Sequence, residues 1–340
     1  MHPRVSILLP CRDAEQTIDE AISSLESQTL EEFEAIVVDD ASSDGTRSRV
    51  EAWSRRDPRV RIVEGAGRGI VEALQRAVAV ASAPVLARMD ADDVAAPNRL
   101  DTQFSMLEAR PELAGCGTRV ELFGESGVGS GYRRYESWIN SIQSPVDVAT
   151  NAFVECPIAH PTLMVRRSVL LGVGGYRDRG WPEDYDLVLR LLAVGAHLAN
   201  ADGPALLQWR ARPDRLSLQA AQYRPEAFRR CKVHFLREAF LPAGRDLVVW
   251  GAGKVGKPLA RELIEQGSAV SAFVDLDPRK IGQMIHHAPV LSPGEFAVSA
   301  RRKPRPYVLA AVGSPGVRGE IRDALERCGM DELSDFRFCA

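Results

Sequence analysis

The sequence lacks the cysteine pattern of a zinc site or a disulfide framework. Its six cysteines are scattered over 340 residues, without a C-x-x-C pair or a Cys/His cluster at zinc spacing. We therefore expect reduced and mostly buried thiols. The chain also lacks an excess of basic residues, since 43 Lys and Arg face 46 Asp and Glu for a net charge of -3. Without a strong positive field to gather a phosphate backbone, nucleic acid is excluded as the expected partner.

Long apolar runs are missing as well. No uninterrupted apolar stretch in the sequence approaches the roughly 20 residues that a membrane-spanning helix needs. The N-terminal Met-His-Pro-Arg-Val-Ser also lacks the apolar stretch of a signal peptide. These absences predict a cytoplasmic protein with no transmembrane segment. Recurring Arg pairs leave peripheral association with the inner face of a membrane as an alternative to a purely solvated surface.

Short apolar runs alternate with amphipathic stretches in the N-terminal part of the chain. The runs typical of buried strands are Val5 to Leu9, Ala35 to Val38, Val60 to Val63 and Val85 to Met89. Helical periodicity between them predicts right-handed crossovers and a mostly parallel sheet flanked by helices, an α/β fold. Because ligands of open α/β sheets bind beyond the carboxyl ends of the strands, we expect the charged residues that follow these strands to converge at one edge.

The most acidic of these strand ends carries Asp90, Asp92 and Asp93 as an Asp-x-Asp-Asp motif. Like charges placed together are unfavourable unless a cation joins them. A ligand set made only of oxygen suits Mg²⁺ or Mn²⁺, which commonly bridge carboxylates to a diphosphate. The motif therefore predicts a divalent cation with a nucleoside diphosphate, and a solvated acidic turn is the structural alternative.

Several motifs in register resemble the large family 2 of glycosyltransferases, which have the GT-A fold. The matching segments follow the family order over about residues 4 to 217 and include VSILLPCRDAEQTIDEAISSLESQTLEEFEAIVVDDASSDGT, GRG, ARMDADDVAAPNRL, AHPTLMVRRSVLLGVGGYRDR and WPEDYDLVLRL. The resemblance implies an inverting enzyme of glycan or polysaccharide biosynthesis. Its donor would be a UDP-, GDP- or dTDP-sugar, and its acceptor a hydroxyl of a glycan, a lipid-linked molecule or a small molecule.

The resemblance also implies roles for residues at the matching positions. The residues implied to contact the donor nucleotide are Pro10, Arg12, Asp39, Asp40, Arg68 and Asp90. Asp92 is implied as the main metal ligand, with Asp90 and Asp93 beside it. For Arg68, an ordinary surface position on a Gly-flanked turn is the alternative.

Glu183 and Asp184 open a predicted helix, where the helix dipole favours an ionised carboxylate. By resemblance, Asp184 would take the proton from the acceptor hydroxyl. From the residues alone, both side chains could equally cap the helix. The residues considered for acceptor or phosphate contacts are His160, Trp181, Arg210 and Arg212. Many family members carry His where this chain has Arg212, and a guanidinium cannot ligate a metal but can hold a phosphate.

A second nucleotide-type signature lies in the C-terminal part. The strand Leu247 to Trp250 leads into a G-x-G-x-x-G loop, and an acidic residue ends the next strand, so that the fingerprint comprises Gly251, Gly253, Gly256 and Asp275. This pattern predicts a small Rossmann-like domain. We expect it to be an accessory module. Binding of NAD(P) or another nucleotide by this domain is the less favoured alternative.

The predicted organisation is a GT-A domain at 1–217, a helical linker and hinge at 218–244, and the Rossmann-like domain at 245–340. Two other functions are weighed against glycosyl transfer. An NAD(P)-dependent oxidoreductase centred on the C-terminal domain lacks a recognisable catalytic Lys, His or Tyr. A non-catalytic nucleotide-binding scaffold would have no need of both the Asp-x-Asp motif and the Glu183-Asp184 pair.

Overall fold

A computed structural model describes residues 2–124, 129–212 and 219–340, and these form two compact units. Unit 1 comprises residues 1–148 and 157–220, and unit 2 comprises residues 149–156 and 221–340. The helices in chain order are α1 Ile18–Glu26, α2 Thr46–Arg56, α3 Ile70–Val80, α4 Arg99–Ala109, α5 Ser130–Ser141, α6 Pro145–Asn151, α7 Arg167–Gly172, α8 Glu183–Ala193, α9 Pro225–Phe235, α10 Gly256–Glu265, α11 Pro293–Ser299 and α12 Pro315–Arg327. Short 3₁₀ turns cover His160–Thr162 and Ala221–Tyr223, and a π-helical turn covers Leu236–Phe240.

The strands of unit 1 are β1 Val5–Cys11, β2 Phe33–Asp39, β3 Val60–Glu64, β4 Val85–Arg88, β5 Val94–Ala95, β6 Leu113–Thr118, β7 Val120–Phe123, β8 Met164–Arg166, β9 His197–Ala201 and β10 Leu207–Arg210. Seven of them form one sheet in the order β3-β2-β1-β4-β8-β6-β9. The sheet is parallel except for β8, which pairs antiparallel with both neighbours. A smaller sheet has the order β5-β10-β7. The predicted mostly parallel α/β fold is confirmed.

Burial of the central strands explains their sequence. All seven residues of β1 and all seven of β2 are buried, as expected for strands covered by helices on both faces. Helix α1 covers the sheet with an apolar stripe of Ile18, Ala21, Ile22 and Leu25. This core fixes the strand ends, and therefore the loops that follow them.

The strands of unit 2 are β11 Leu247–Trp250, β12 Val270–Val274, β13 Met284–Ile285, β14 Ala288–Leu291, β15 Tyr307–Ala310 and β16 Phe336–Phe338. They form one sheet in the order β13-β14-β12-β11-β15-β16. Every pairing is parallel except that of the edge strand β13. In a Rossmann-type sheet the first strand likewise lies between the second and the fourth.

Two local expectations differ from the structure. The spacing of Thr17 and Glu20 at the start of α1 predicts a capping box. This prediction is wrong, because the Thr17 hydroxyl donates to Ala14 O and to Ala91 O, at 3.1 Å for the latter. The continuous helix expected from Gln219 to Phe240 is interrupted, with a 3₁₀ turn before α9. Pro225 explains the interruption, because proline is favoured at the first position of a helix and disfavoured inside one.

The predicted boundary between 217 and 218 falls within 213–218, outside the described residues. The described part of the predicted linker, from 221 onward, belongs to unit 2. In the described part of the chain, no helix combines the length and the hydropathy that crossing a membrane requires.

Candidate active site

The loops after three strands meet at one edge of the large sheet. β1 lies between β2 and β4, with Cys11 paired to Asp39 at the carboxyl end. Backbone bonds extend the register past the strands, since Asp40 N–H donates to Cys11 O at 2.9 Å and Met89 N–H donates to Leu8 O at 3.1 Å. The acidic residues that follow β2 and β4 are therefore carried by loops on the same edge.

Three carboxylates after β4 form a tight cluster. One oxygen from each of Asp90, Asp92 and Asp93 lies within 4.8 Å of the others. Asp93 is fully buried, and burial followed by the charges of Asp90 and Asp92 raises its pKa well above the ordinary value. Its Oδ2 has no hydrogen-bond partner among the described residues. A buried, unsatisfied oxygen beside two other carboxylates fits a divalent cation.

Neighbouring elements fix the shape of this acidic loop. Arg210, at the end of β10, donates its backbone N–H to Asp93 Oδ1 at 2.9 Å and its Nε to Asp92 O at 2.7 Å. Its guanidinium lies 4.4 Å from the ring centroid of Phe123, and it also pairs with Glu20. Arg210 therefore holds the cluster in place from the smaller sheet.

A buried arginine lies behind the cluster, and the sequence analysis did not identify it. Arg88 is 4% exposed and pairs with Asp90. Burial opposes its charge, but Asp90 outweighs burial, so that the pKa of Arg88 is raised. The signal in the sequence is a charged residue inside the apolar run Val85 to Met89, where burial requires a partner.

The first turn of α8 carries three carboxylates in different environments. Glu183 and Asp186 are each 2% exposed. Asp186 accepts from Trp181 Nε1 at 2.9 Å and from Arg190 Nε at 2.7 Å, which assigns it a structural role. Asp184 is partly exposed, and its Oδ1 accepts from Tyr185 N–H at 2.7 Å. Asp184 is thus the carboxylate of this turn that solvent reaches.

His160 connects this turn to the acidic cluster. Its Nε2 lies 3.0 Å from the Tyr176 hydroxyl, and its Nδ1 lies 3.8 Å from Glu183 Oε1. Burial, followed by the charge of Arg88, lowers the pKa of His160 well below 6.5. The ring is therefore neutral at pH 7, and its contact with Glu183 is polar rather than ionic. Arg88, which pairs with Asp90, acts on the His160 ring through its charge, so the coupling between the cluster and the start of α8 is electrostatic.

The residues expected to contact the donor nucleotide lie at the carboxyl ends of β1 and β2 and in the loops after β1, β2, β3 and β4. Asp40 is buried, and its Oδ1 accepts from the N–H groups of Gly67 and Arg68 at 2.8 and 3.2 Å. Its Oδ2 accepts from Gly69 N–H at 2.8 Å. The carboxylate thereby shapes the turn that presents the exposed Arg68. That Asp40 accepts a hydrogen bond from the base of the donor nucleotide stays a prediction.

The remaining predicted residues are placed as follows. Arg12 is about half exposed, with a nitrogen 3.9 Å from Asp40 Oδ2. Pro10 is buried in β1, and Asp39 is buried at the end of β2 with its Oδ1 accepting from Ser42 N–H at 3.2 Å. Arg212 is partly exposed beyond β10. In unit 2, Gly251, Gly253, Gly256 and Asp275 lie at the carboxyl ends of β11 and β12.

Comparison with known proteins gives consistent results. The family profile described as "Glycosyl transferase family 2" matches residues 6–172. An uncharacterized glycosyltransferase of Haemophilus influenzae is 31% identical over 204 residues, which make up 58% of this chain and 62% of that protein. The O-antigen biosynthesis glycosyltransferase WbnJ of Escherichia coli is 30% identical over 192 residues, or 55% of this chain and 71% of WbnJ.

Among solved structures, residues 1–349 of S. aureus TarS, determined in complex with UDP-GlcNAc, superpose with a TM-score of 0.58. The superposition covers 78% of this chain and 73% of that TarS fragment at 17% sequence identity. At this identity the similarity supports the fold alone. The expected GT-A type fold is confirmed. With the family profile in unit 1, and with WbnJ matched over more than two thirds of its length, the chain belongs to glycosyltransferase family 2.

Proposed function

We propose that this chain transfers a sugar from a nucleoside diphosphate sugar to an acceptor hydroxyl, with inversion at the anomeric carbon. The observation that carries the proposal is the Asp90–Asp93 cluster after β4, together with the partly exposed Asp184 at the start of α8. Arg88, which pairs with Asp90, and Asp184 both act through their charges on the buried Tyr176. Such a transfer needs positive charge at the departing diphosphate and a base at the acceptor. The cluster suits the first task and Asp184 the second.

The cluster fits Mg²⁺ or Mn²⁺. Asp92 and Asp93, with Asp90 beside them, would hold the ion, because the donor set is all oxygen and the buried Asp93 Oδ2 lacks a partner among the described residues. When bound, the ion supplies positive charge that stabilises the diphosphate leaving group. Arg210 keeps the loop in the shape that brings these oxygens together.

The donor nucleoside would lie over the loops after β1 and β2. Pro10, Asp39 and Asp40 form the floor of this region, and Asp40 holds the turn of Arg68. The exposed guanidinium groups of Arg12 and Arg68 are available to the nucleotide. We propose a donor of the UDP, GDP or dTDP type.

Asp184 is the proposed base. It lies in the first turn of α8, where the helix dipole keeps a carboxylate ionised, and solvent reaches it. As the acceptor oxygen attacks the anomeric carbon, its proton passes to Asp184. The bond from that carbon to the diphosphate oxygen breaks on the opposite face, so one displacement inverts the configuration.

For the acceptor, we propose a glycan or lipid-linked hydroxyl in polysaccharide biosynthesis. The support is the similarity to WbnJ, which is named for O-antigen biosynthesis. A small-molecule acceptor is the alternative. The cytoplasmic location and the peripheral membrane association stay predictions from the sequence.

A pair of matched variants tests the proposal. Asp184→Asn removes the base, whereas Asp178→Asn makes the same change at an exposed residue of the preceding loop. Thermal shifts with UDP-, GDP- and dTDP-sugars, with and without Mn²⁺, measure donor binding. Release of nucleoside diphosphate with a panel of glycan and lipid-linked acceptors measures transfer.

We expect one donor class to stabilise the protein more strongly when metal is present than in its absence. Asp184→Asn should keep this stabilisation and lower turnover by about 10²- to 10⁴-fold, the usual contribution of a general base. Asp178→Asn should keep both. If Asp184→Asn loses donor binding together with turnover, the base assignment is wrong.

A further inference from the structure

Unit 2 contains a cleft of about 300 Å³ that the transferase proposal does not use. Its walls come from the loops after β11, β12 and β15, with Gly253, Asp275 and Ala311 among the lining residues. From β11 the chain crosses to β12 and β14 on one side of the sheet, then returns to β15 on the other. The cleft therefore lies where the strand order reverses, which is the ligand position of open α/β sheets.

The loop between β11 and α10 is shaped for close approach by a ligand. A Cβ on Gly256 would lie 1.7 Å from Gly251 O, so the absence of a side chain lets α10 begin directly against the strand end. At Gly253 the opposite holds, because a Cβ would meet no atom within 4 Å. The space in front of the loop is open. Lys257 N–H donates to Gly253 O at 3.1 Å and Pro258 has no N–H, so the donors beside this space are the N–H groups of the loop itself, from 253 to 256. Lys254 is exposed on the same loop.

Asp275 and Lys280 form a fixed polar pair in the cleft. Asp275 Oδ2 accepts from Ala252 N–H at 2.8 Å and from Lys280 Nζ at 2.9 Å, and its Oδ1 accepts from Asp277 N–H at 2.9 Å. Oδ1 retains acceptor capacity, and the ammonium group retains donors. An acceptor and a donor side by side suit the two adjacent hydroxyls of a ribose.

Apolar side chains complete the lining. Leu276 is 62% exposed beside Asp275, and Val317 and Ile321 of α12 line the cleft as well. An exposed apolar wall next to a ribose-type site suits the face of a base. The volume is at the lower end of the range for ligand pockets. It suits one nucleotide rather than two.

The strand arrangement of the sheet in unit 2 also favours a single nucleotide as the ligand of the cleft. Dinucleotide-binding sheets have two mononucleotide-binding halves. In unit 2, β11, β12 and β14 form one such half, whereas the other side of the switch point has β15 and β16. We propose that unit 2 binds one ribonucleoside diphosphate without a metal ion, its phosphates on the loop 251–256 and its ribose on Asp275 and Lys280. This site is additional to the proposed transferase site.

Titration calorimetry of the full chain in EDTA tests the proposal with ADP, GDP and UDP as probes. Chelation removes the metal on which diphosphate binding in unit 1 would depend. We expect one equivalent of at least one probe to bind. Gly253→Glu should weaken this binding at least 10-fold, because its carboxylate enters open space and repels phosphate. Gly253→Ala is the control for backbone change, and Asp92→Asn the control for unit 1.

Each other outcome has a definite meaning. No binding of the three probes in EDTA overturns the proposal, as does binding that Gly253→Glu leaves unchanged. Binding that disappears in Asp92→Asn belongs to unit 1 and also overturns it. NAD⁺ binding more tightly than ADP would show a dinucleotide site instead. A failed transferase assay leaves these measurements unaffected, so the two proposals fail separately.

Discussion

Both units place acidic residues at the carboxyl ends of parallel strands, but they balance the charge differently. In unit 1, Asp90, Asp92 and Asp93 crowd within 4.8 Å, and the pKa of Asp93 rises because burial and its neighbours disfavour the charge. In unit 2, Asp275 faces Lys280 and two backbone N–H groups, and these donors outweigh burial, so its pKa is lowered. The cluster in unit 1 therefore has negative charge that an added cation could balance, whereas the charge of Asp275 in unit 2 is already balanced by Lys280.

The largest difference in stability between the two units is expected when the cationic partner of the carboxylate is removed in each. Arg88→Met leaves Asp90, whose side chain is 26% exposed, without its cation beside two other carboxylates, and we expect a loss of about 1–3 kcal/mol in the stability of unit 1. Lys280→Met removes a partner whose side chain is 32% exposed, and the loss in unit 2 should stay below about 1 kcal/mol. Hydrogen exchange followed on peptides from each unit measures both effects.

Added Mn²⁺ should restore part of the protection in Arg88→Met, because the ion supplies the missing positive charge. If Arg88→Met and Lys280→Met lose similar amounts of stability, the difference in burial between the Arg88–Asp90 and Lys280–Asp275 pairs has no energetic consequence. Arg88→Lys, which keeps the charge, should lie between Arg88→Met and the unmodified protein.

The carboxylates themselves should differ in function. Asp92→Asn removes the proposed main ligand, and we expect transfer to fall by about 100-fold, equivalent to about 3 kcal/mol of transition-state stabilisation. Without metal, unit 1 should keep its stability, because one like charge has left the cluster. Asp275→Asn in unit 2 should leave transfer unchanged. Nucleoside diphosphate release measures the rates, and equal losses in both variants would contradict the assignment of the metal site to unit 1.

The glycines of unit 2 sharpen the comparison, because this site depends on shape. Gly256→Ala forces a Cβ to within 1.7 Å of Gly251 O, and we expect unit 2 to lose about 1–3 kcal/mol, the usual cost of overpacking. Gly253→Ala places the same methyl group in open space and should cost little. Exchange of unit 2 peptides measures both, and equal destabilisation would show that the close packing at Gly256 is not the cause.

The last expected effect concerns the pH dependence of the stability of unit 1. Because the folded protein lowers the pKa of His160, protons bind the unfolded chain preferentially between the lowered pKa and 6.5. The contribution of the neutral His160 to the free energy of unfolding is fully present above pH 6.5. Below pH 6.5 it decreases by up to about 1.4 kcal/mol per pH unit, until the lowered pKa is reached. The Tyr176 hydroxyl and Glu183 contact the ring, and Arg88 acts on it through its charge.

His160→Gln should flatten the pH dependence of unit 1 between pH 6.5 and 5, as measured by hydrogen exchange of its peptides. Unit 2 peptides in the same samples serve as the internal control. An unchanged slope in the variant would mean that another group causes the loss at low pH.

Prediction from sequence succeeded where the pattern is local. The strand Leu247–Trp250 has the predicted bounds, the next strand ends just before Asp275 as expected, and α8 begins at Glu183 as expected. It failed where a distant group competes. The Thr17 hydroxyl bonds to Ala91 O rather than capping its own helix, and the antiparallel insertion of β8 beside β4 leaves no trace in the periodicity of either strand.

The candidate site divides in the same way. The Asp-x-Asp motif and the Glu183-Asp184 pair are visible in the sequence because each consists of neighbouring residues. The contacts around these two motifs cannot be read from the sequence, because Arg88, His160 and Tyr176 come from separate elements. Their burial in the folded protein decides which partner each one needs.

The α/β fold, the family and the acidic groups at strand ends can be predicted from consecutive residues, because apolar periodicity and short motifs are local patterns. Which of these acidic groups have a cationic partner within the protein, and which crowd together, depends on tertiary packing. Charge balance depends on distance and burial, and both arise when segments far apart in the chain pack together.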